Sequence, residues 1–522
     1  VLYHIDYTLL IVDASRPQDE LAAVLTRLQS SGNASKLRQI SFAIIADRSE
    51  AGRLRMVFSS ITFLFYFLPI FLAAYLLTPT IQAKNVVTLL FSLVFYAWGE
   101  PRFVIILLLS IVFNFCAALL IDAREGSSRR WALGIAVAGN LLLLGIFKYA
   151  NFITANLTTL LSPLGTPSFQ TDIALPLGIS FFTFHCLSYI IDVYRRRFRA
   201  NRNPVDIALY ISLFPQLVAG PIVRYKTVAR QLDARRFTLG RASVGARIFI
   251  IGLAQKVLVA DVVAPLVQVA FNTVPHRSMA EAWIGLISYT VQIYFDFAGY
   301  SNMAIGLGIV LGFTFPRNFR MPYTSLSITE FWRRWHMSLS SWLRDYLYIP
   351  LGGNRGTNAQ TYRNLVMVFL LCGLWHGANW TFVLWGAWHG AFLVIERLGL
   401  GDALARLAKP ARWAYALLVV MGGWVLFRSM NLPEAIGYYA SLFGRNGLSE
   451  ISFDMHDALN DRAIMTLVIG CALAVAPRWP AKWTPPLLVR APADVALTFA
   501  LLIFSMITVA AGAYSPFLYF RF

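Results

Sequence analysis

His376 sits in Leu374-Trp375-His376-Gly377-Ala378-Asn379, a small polar break within an apolar stretch. Ionisable groups at membrane depth are costly, so each one invites a functional reading. A histidine near the floor of a polar pit can serve as general base at neutral pH and take a proton from a hydroxyl nucleophile. Spacing alone equally allows a packed histidine bonded to a carbonyl. His389 would point about 220° away on a continuous helix, which favours packing over chemistry. A second histidine, His336, lies in 325–346. There Ser327-Ile328-Thr329-Glu330 reads as a capping box opening a helix. Ile328, Phe331, Trp332, Trp335, Leu339 and Leu343 form one apolar face, and Arg333, Arg334, Arg344 and serines form the other. That is a basic, Trp-rich interfacial helix. His336 falls at the edge of its stripe, where it either helps anchor the helix or marks a cytoplasmic entrance at which arginines attract phosphate. Leu351-Gly352-Gly353-Asn354-Arg355-Gly356 is open to reading as a phosphate-cradling loop, but it matches neither a Walker motif nor a dinucleotide fingerprint and reads better as a tight cytoplasmic turn. Asp296 is a lone carboxylate in an apolar run and needs a partner, either to orient a histidine or helix or as a structural ion pair. No Gly-x-Ser-x-Gly elbow, His-Glu-x-x-His motif or Cys/His cluster supports a serine hydrolase or a metalloenzyme.

The elements that must position these groups are membrane helices. The 522 residues are 57% hydrophobic and 14% charged, with mean hydropathy +0.60. Soluble proteins carry roughly 25% charged residues. The net charge of +19 belongs to loops between apolar segments, as the positive-inside rule requires, rather than to nucleic-acid binding. The four cysteines, Cys116, Cys186, Cys372 and Cys471, are far apart in apolar segments and make neither a disulfide framework nor a metal cluster. Residues 1–55 read differently, with seven Lys/Arg, six Asp/Glu and no signal-peptide pattern. They are expected to be an extension outside the main domain, either a mis-assigned start ahead of Met56 or a small regulatory arm. Residues 56–522 form a single polytopic domain.

Apolar segments fall near 57–78, 85–98, 103–121, 131–149 and 175–194. The basic stretches 122–130 and 195–202 enclose 150–174, whose one charge is Asp172. Two spans therefore leave the cytoplasm at 131 and return by 194. Residues 205–223 are apolar yet flanked by basic stretches on both sides, and contain Pro215, Gly220 and Pro221. A re-entrant element covered by protein fits. Residues 364–396 read as a helical hairpin turning inside the membrane, with Gly377 at the C′ position and His376 at its tip. The acidic stretch 429–462 reads as external and the basic 478–490 as internal. The expected fold is all-α and integral to the membrane, with about 11–13 transmembrane and re-entrant helices.

Several motifs together resemble the membrane-bound O-acyltransferase family. They are Met56-Val57-Phe58-Ser59-Ser60, Gln216-Leu217-Val218-Ala219-Gly220-Pro221-Ile222-Val223-Arg224, Tyr294-Phe295-Asp296-Phe297-Ala298-Gly299-Tyr300-Ser301, Ser327 through His336, Trp342 through Gly356, and Leu374 through Asn379. The resemblance is strongest to the bacterial branch that acetylates exported polysaccharides such as alginate and cellulose, whose relatives include teichoic-acid D-alanyl transfer proteins. It runs from Met56 to about 430 and more loosely beyond. It implies that His376 is the essential histidine and His336 the second recurrent one. It also implies a ring of helices around a thinned centre with a central tunnel, and an acyl thioester entering from the cytoplasm. In that branch a periplasmic partner acetyltransferase often completes delivery. His185 is not part of the family pattern and receives no role.

The expectation is thus an O-acetyltransferase of the bacterial inner membrane that moves acetyl from acetyl-coenzyme A to an exported polysaccharide, directly or through a periplasmic partner, without a metal. His376 and His336 are its candidate catalytic residues. Trp375, Asn379, Arg333, Arg334 and Arg355 are its candidate substrate-binding residues. A transporter of polysaccharide or lipid-linked sugar, or a non-catalytic scaffold of an exopolysaccharide complex, would use similar buried polar groups. Secretion failure would mark the transporter, and a silent histidine mutant the scaffold.

Overall fold

A computed structural model describes residues 2–5, 8–11, 56–165, 168–169, 171–272, 277–476 and 487–512. Most of the 1–55 extension and much of the 478–490 stretch lie outside these residues. The chain divides into two compact units, Val1–Arg55 and Met56–Phe522. In the first, β1 (Leu2–Ile5) and β2 (Thr8–Ile11) pair antiparallel, Leu2 opposite Ile11. Among its described residues the second consists of helices and the loops that join them, with no strand.

Its helices are α1 (Leu68–Leu77), α2 (Ile81–Gly99), α3 (Val104–Ala123), α4 (Gly126–Leu161), α5 (Ile179–Tyr194), α6 (Pro204–Ser212), α7 (Phe214–Leu217), α8 (Tyr225–Asp233), α9 (Leu239–Ala254), α10 (Asp261–Asn272) and α11 (Met279–Val310). There follow α12 (Ile328–Trp332), α13 (Met337–Leu343), α14 (Asn358–His376), α15 (Trp380–Ile395), α16 (Gly401–Ala405), α17 (Lys409–Arg428), α18 (Leu432–Leu442), α19 (Phe453–Ala458), α20 (Asp461–Val475) and α21 (Leu487–Ala510). Six helical stretches among the described residues are long and apolar enough to cross a membrane. Shorter apolar helices, Thr62–Leu77 and Ile179–Tyr194, accompany them. The protein is an all-α, multi-pass membrane protein.

One boundary moved. The segment after 149 is not a loop: α4 continues to Leu161 as one helix of 36 residues, about 54 Å long and longer than a bilayer core.

Residues 205–223 do form broken structure covered by protein. The helix α6 has 9 residues and α7 has 4, neither enough to span. Residues 209–225 are all buried. Irregular backbone at this depth must find protein partners. The Ser92 and Ser338 hydroxyls accept from the Phe214 and Ile222 N–H groups, at 3.1 and 3.0 Å. The Tyr210 hydroxyl donates to the Val223 carbonyl at 3.1 Å.

Helix α11 is buried over most of its length. It crosses α9 at two glycine contacts, Gly245 with Gly306 and Gly252 with Gly299. A Cβ on Gly252 would come within 2.5 Å of the Gly299 carbonyl, so these helices approach backbone to backbone. On α11, Asp296 meets Lys256 Nζ at 3.0 Å, and Lys256 also bonds Asp261 at 2.5 Å. The carboxylate thus sits in a buried ion-pair cluster.

Candidate active site

The hairpin that carries His376 is made by α14 and α15. A capping box, Thr357 with Gln360, starts α14. The two helices pack through glycines: a Cβ on Gly373 would collide with the Phe382 carbonyl, and one on Gly386 with the Phe369 carbonyl. His376 is the last residue of α14. Gly377 follows in extended conformation, φ −161°, not in the left-handed one expected for a C′ glycine. What requires glycine there is contact, because a Cβ would run into the Phe382 ring. Asn379 then caps α15, its Oδ1 accepting from the Thr381 N–H at 3.1 Å. Its Nδ2 donates to the Met430 carbonyl at 2.7 Å, which ties the tip to the loop after α17. Asn379 is thereby engaged in shaping the tip.

The second histidine is not on one continuous helix. The stretch 325–346 breaks into α12 and α13, and His336 stands between them with φ 41° and ψ 52°, a backbone region few non-glycine residues enter. The break comes from a neighbouring strand of chain: Arg320 N–H bonds the Arg334 carbonyl and Met337 N–H bonds the Asn318 carbonyl, both at 2.9 Å. Ser327 does cap α12, accepting from the Glu330 N–H at 3.0 Å, but the Glu330 carboxylate returns to Leu326 N–H instead of Ser327. Glu396 completes that helix start, accepting from the Ile328 and Thr329 N–H groups at 2.6 and 3.0 Å. The apolar stripe of 328–343 is buried within the protein and does not lie flat on lipid.

The break turns His336 inward. Its ring is fully buried, 4.7 Å from the Phe297 ring and 6.5 Å from the His376 ring. Nδ1 lies 3.0 Å from Asn318 Oδ1. That oxygen also accepts from the Ser338 N–H at 3.2 Å and the Ser338 hydroxyl at 2.9 Å. An atom receiving a backbone N–H is an acceptor, so Nδ1 of His336 carries the hydrogen and the neutral ring presents its lone pair at Nε2. Asn318 belongs to no motif recognised in the sequence, and it sets this tautomer.

Around His376, Trp385 and Phe427 present ring edges at 4.9 and 5.2 Å. Trp375 stacks on Phe184 at 5.2 Å, and Phe184 on Trp342 at 4.1 Å. Trp375 is therefore a wall of the site. His389 packs 5.1 Å from both Trp332 and Trp385 and is a core residue. His185 is buried beside Tyr210.

A cavity of about 450 Å³ is lined by Arg333, Ser340, Ser341, Arg344, Cys372 and Arg397 among others. Cys372 is one helical turn before His376, on the same face of α14. Of the three arginines expected to bind substrate, only Arg333 lines this cavity. Arg334 is held by Glu330 and by the Thr324 hydroxyl. Arg355 is exposed in the turn after α13. That turn uses two positive-φ glycines, Gly352 and Gly353, and Asn364 bonds the Leu351 and Gly353 carbonyls at 3.1 and 3.0 Å. Arg344 and Arg397 take the places at the cavity that Arg334 and Arg355 do not.

The site thus places two buried imidazoles, 6.5 Å apart, inside a multi-pass helical membrane fold. Residues 141–426 match the model of the membrane-bound O-acyltransferase family, MBOAT, and the chain belongs to that family; it is an O-acyltransferase. It is 48% identical over 392 residues to the probable alginate O-acetylase AlgI of Azotobacter vinelandii, covering 74% of this chain and 78% of that one. It is 43% identical over 492 residues to a Pseudomonas putida protein of the same name, covering 90% of this chain and 100% of the relative. A peptidoglycan O-acetyltransferase of Helicobacter pylori is 34% identical over 458 residues, covering 79% and 86%.

Proposed function

We propose that this protein resides in the bacterial inner membrane and transfers acetyl from cytoplasmic acetyl-coenzyme A to an exported polysaccharide, alginate or cellulose, either directly or through a periplasmic partner acetyltransferase. The observation that supports this most is the cavity reaching Cys372, one turn from His376, with Arg333, Arg344 and Arg397 at its wall. A space of that size takes a flexible thioester arm and leaves the nucleotide phosphates with the arginines. The relatives named for alginate and peptidoglycan acetylation support a polysaccharide acceptor.

In this reading the acceptor hydroxyl oxygen attacks the acetyl carbonyl carbon while His376 takes its proton. The C–S bond then breaks, and the departing thiolate receives that proton. His336, held at Nδ1 by Asn318, has its ring centre 6.5 Å from that of His376. Burial suits a thioester because it limits hydrolysis. A tunnel through the helices would bring donor and acceptor together from opposite faces.

The test uses membranes supplied with radiolabelled acetyl-coenzyme A, deacetylated alginate or cellulose, and periplasmic extract. Label should reach polymer or a partner protein with the natural chain and not with His376→Ala at equal membrane level. Normal acetylation by that variant would refute the assignment. Polymer retained in a deletion strain, rather than exported without acetyl groups, would point to a transporter.

A further inference from the structure

Lys148 lies in the apolar part of α4 and is buried. Its Nζ donates to the His376 carbonyl and to the Ser180 hydroxyl, both at 3.3 Å, and stands 5.7 Å from the centre of the Trp375 ring. The next residue, Tyr149, donates its hydroxyl to the Leu374 carbonyl at 3.0 Å. One edge of α4 thus satisfies two carbonyls of the last turn of α14, which helix geometry leaves without intrahelical partners. Tyr149 does this with a neutral group. Placing an ammonium one residue earlier is expensive at this depth, and capping alone does not call for it.

The chemistry does. The C-terminal end of a helix carries about half a negative charge. In α14 that end is His376 itself, so the imidazole works beside a negative pole. Attack on the acetyl carbonyl moves an electron pair onto its oxygen. Proton transfer to His376 makes an imidazolium that this pole favours, whereas the oxyanion formed beside it in a low-dielectric site is repelled by the pole. We propose that Lys148 is a positioning residue for His376 whose positive charge offsets the C-terminal pole of α14, so that the anionic transition state of acyl transfer forms there. Two oxygens and the Trp375 face hold the ammonium in place. Lys148 need not touch the substrate. The inference rests on the acetyl-transfer reading above.

The experiment compares natural protein, His376→Ala, Lys148→Gln, Lys148→Arg, Tyr149→Phe and Ser180→Ala in the membrane assay, normalised to folded protein. Lys148→Gln keeps an N–H donor and loses the charge. It should lower kcat about ten-fold or more with the KM for acetyl-coenzyme A within about two-fold, and Lys148→Arg should recover most of the rate. Tyr149→Phe should lower thermal stability without that selective loss of kcat. Lys148→Gln turning over like the natural protein, beside a silent His376→Ala, overturns the role of the lysine alone. No transfer by the natural protein with periplasmic extract present overturns the acetyl-transfer reading and this inference together. Should Lys148→Gln fail to accumulate, Ser180→Ala decides. Loosening the ammonium should then reduce kcat several-fold at unchanged donor KM, and an unchanged kcat overturns the proposal.

Discussion

The ring centres of His336 and His376 stand 6.5 Å apart, and one side chain, Asn318, holds the first ring through Nδ1. Because Asn318 Oδ1 also receives the Ser338 N–H and hydroxyl, its loss would free the His336 ring and leave a buried N–H unpaired. Asn318→Ala should lower label transfer about ten-fold or more while the protein still inserts, and should reduce stability by about 1–3 kcal/mol for the unpaired group. Turnover per folded molecule and a melting curve in detergent check the two effects separately. Full activity in that variant would mean that the tautomer of His336 is irrelevant.

The arginines divide by what they touch. Arg333 and Arg397 line the cavity, so Arg333→Ala and Arg397→Ala should each raise the KM for acetyl-coenzyme A several-fold. With the proposed donor the contact would be a charge on phosphate near solvent, so the effect should shrink at high salt. Arg355 is exposed and outside the cavity, and Arg355→Ala should change the donor KM little. Arg334 is engaged with Glu330 and Thr324. Its replacement should therefore register in stability before it registers in donor affinity. Initial rates against donor concentration at two ionic strengths test all four.

Glycine contacts make the hairpin possible. Gly373 and Gly386 leave no room for a Cβ against the facing backbone. Gly373→Ala and Gly386→Ala should therefore separate α14 from α15 and move His376. Both variants are expected to lose activity and to elute as aggregate from detergent size exclusion. Gly437, within α18, has open space where a Cβ would stand, so Gly437→Ala should be neutral or slightly stabilising.

Sequence alone reached His376 because composition marks it: a charge-poor run interrupted by Gly377-Ala378-Asn379 can only turn. The ion pair open to Asp296 and the covered broken segment at 205–223 were legible for the same reason, since polar or broken backbone at membrane depth must be compensated. His336 was legible as a residue but not as a geometry. Periodicity over 325–346 describes one helix. Its break depends on hydrogen bonds to Asn318 and Arg320, which no local pattern encodes. Lys148 was hidden because it lies in an apolar segment expected to end at 149, whereas the helix runs on to Leu161. Arg334 and Arg355 looked equivalent to Arg333 because charge pattern shows neither that Arg334 is engaged by Glu330 nor that Arg355 lies in an exposed turn.

Asp345 gathers the basic stretches that flank the broken segment. Its carboxylate meets Arg224 at 2.5 Å and Arg344 at 2.7 Å, and its backbone carbonyl accepts from Arg195 at 3.2 Å. Burial pushes this carboxyl up, but the hydrogen bonds and charges of Arg344 and Arg224 outweigh it, so the group sits below the usual carboxylate range. The sign follows from linkage: a carboxylate whose folded value is depressed contributes stability above its unfolded value, about 3.9, and loses that contribution as pH falls through the lower folded one. Melting temperature in detergent should therefore show no Asp345-dependent change between about pH 6 and 8 and should drop on acidification below about pH 4. Asp345→Asn removes the charge that Arg224 needs, so it should lower stability at neutral pH by about 1–3 kcal/mol and make the curve flatter in acid. A variant as stable as the natural protein at pH 7, with the same acid limb, would show that these basic stretches are held by something other than Asp345.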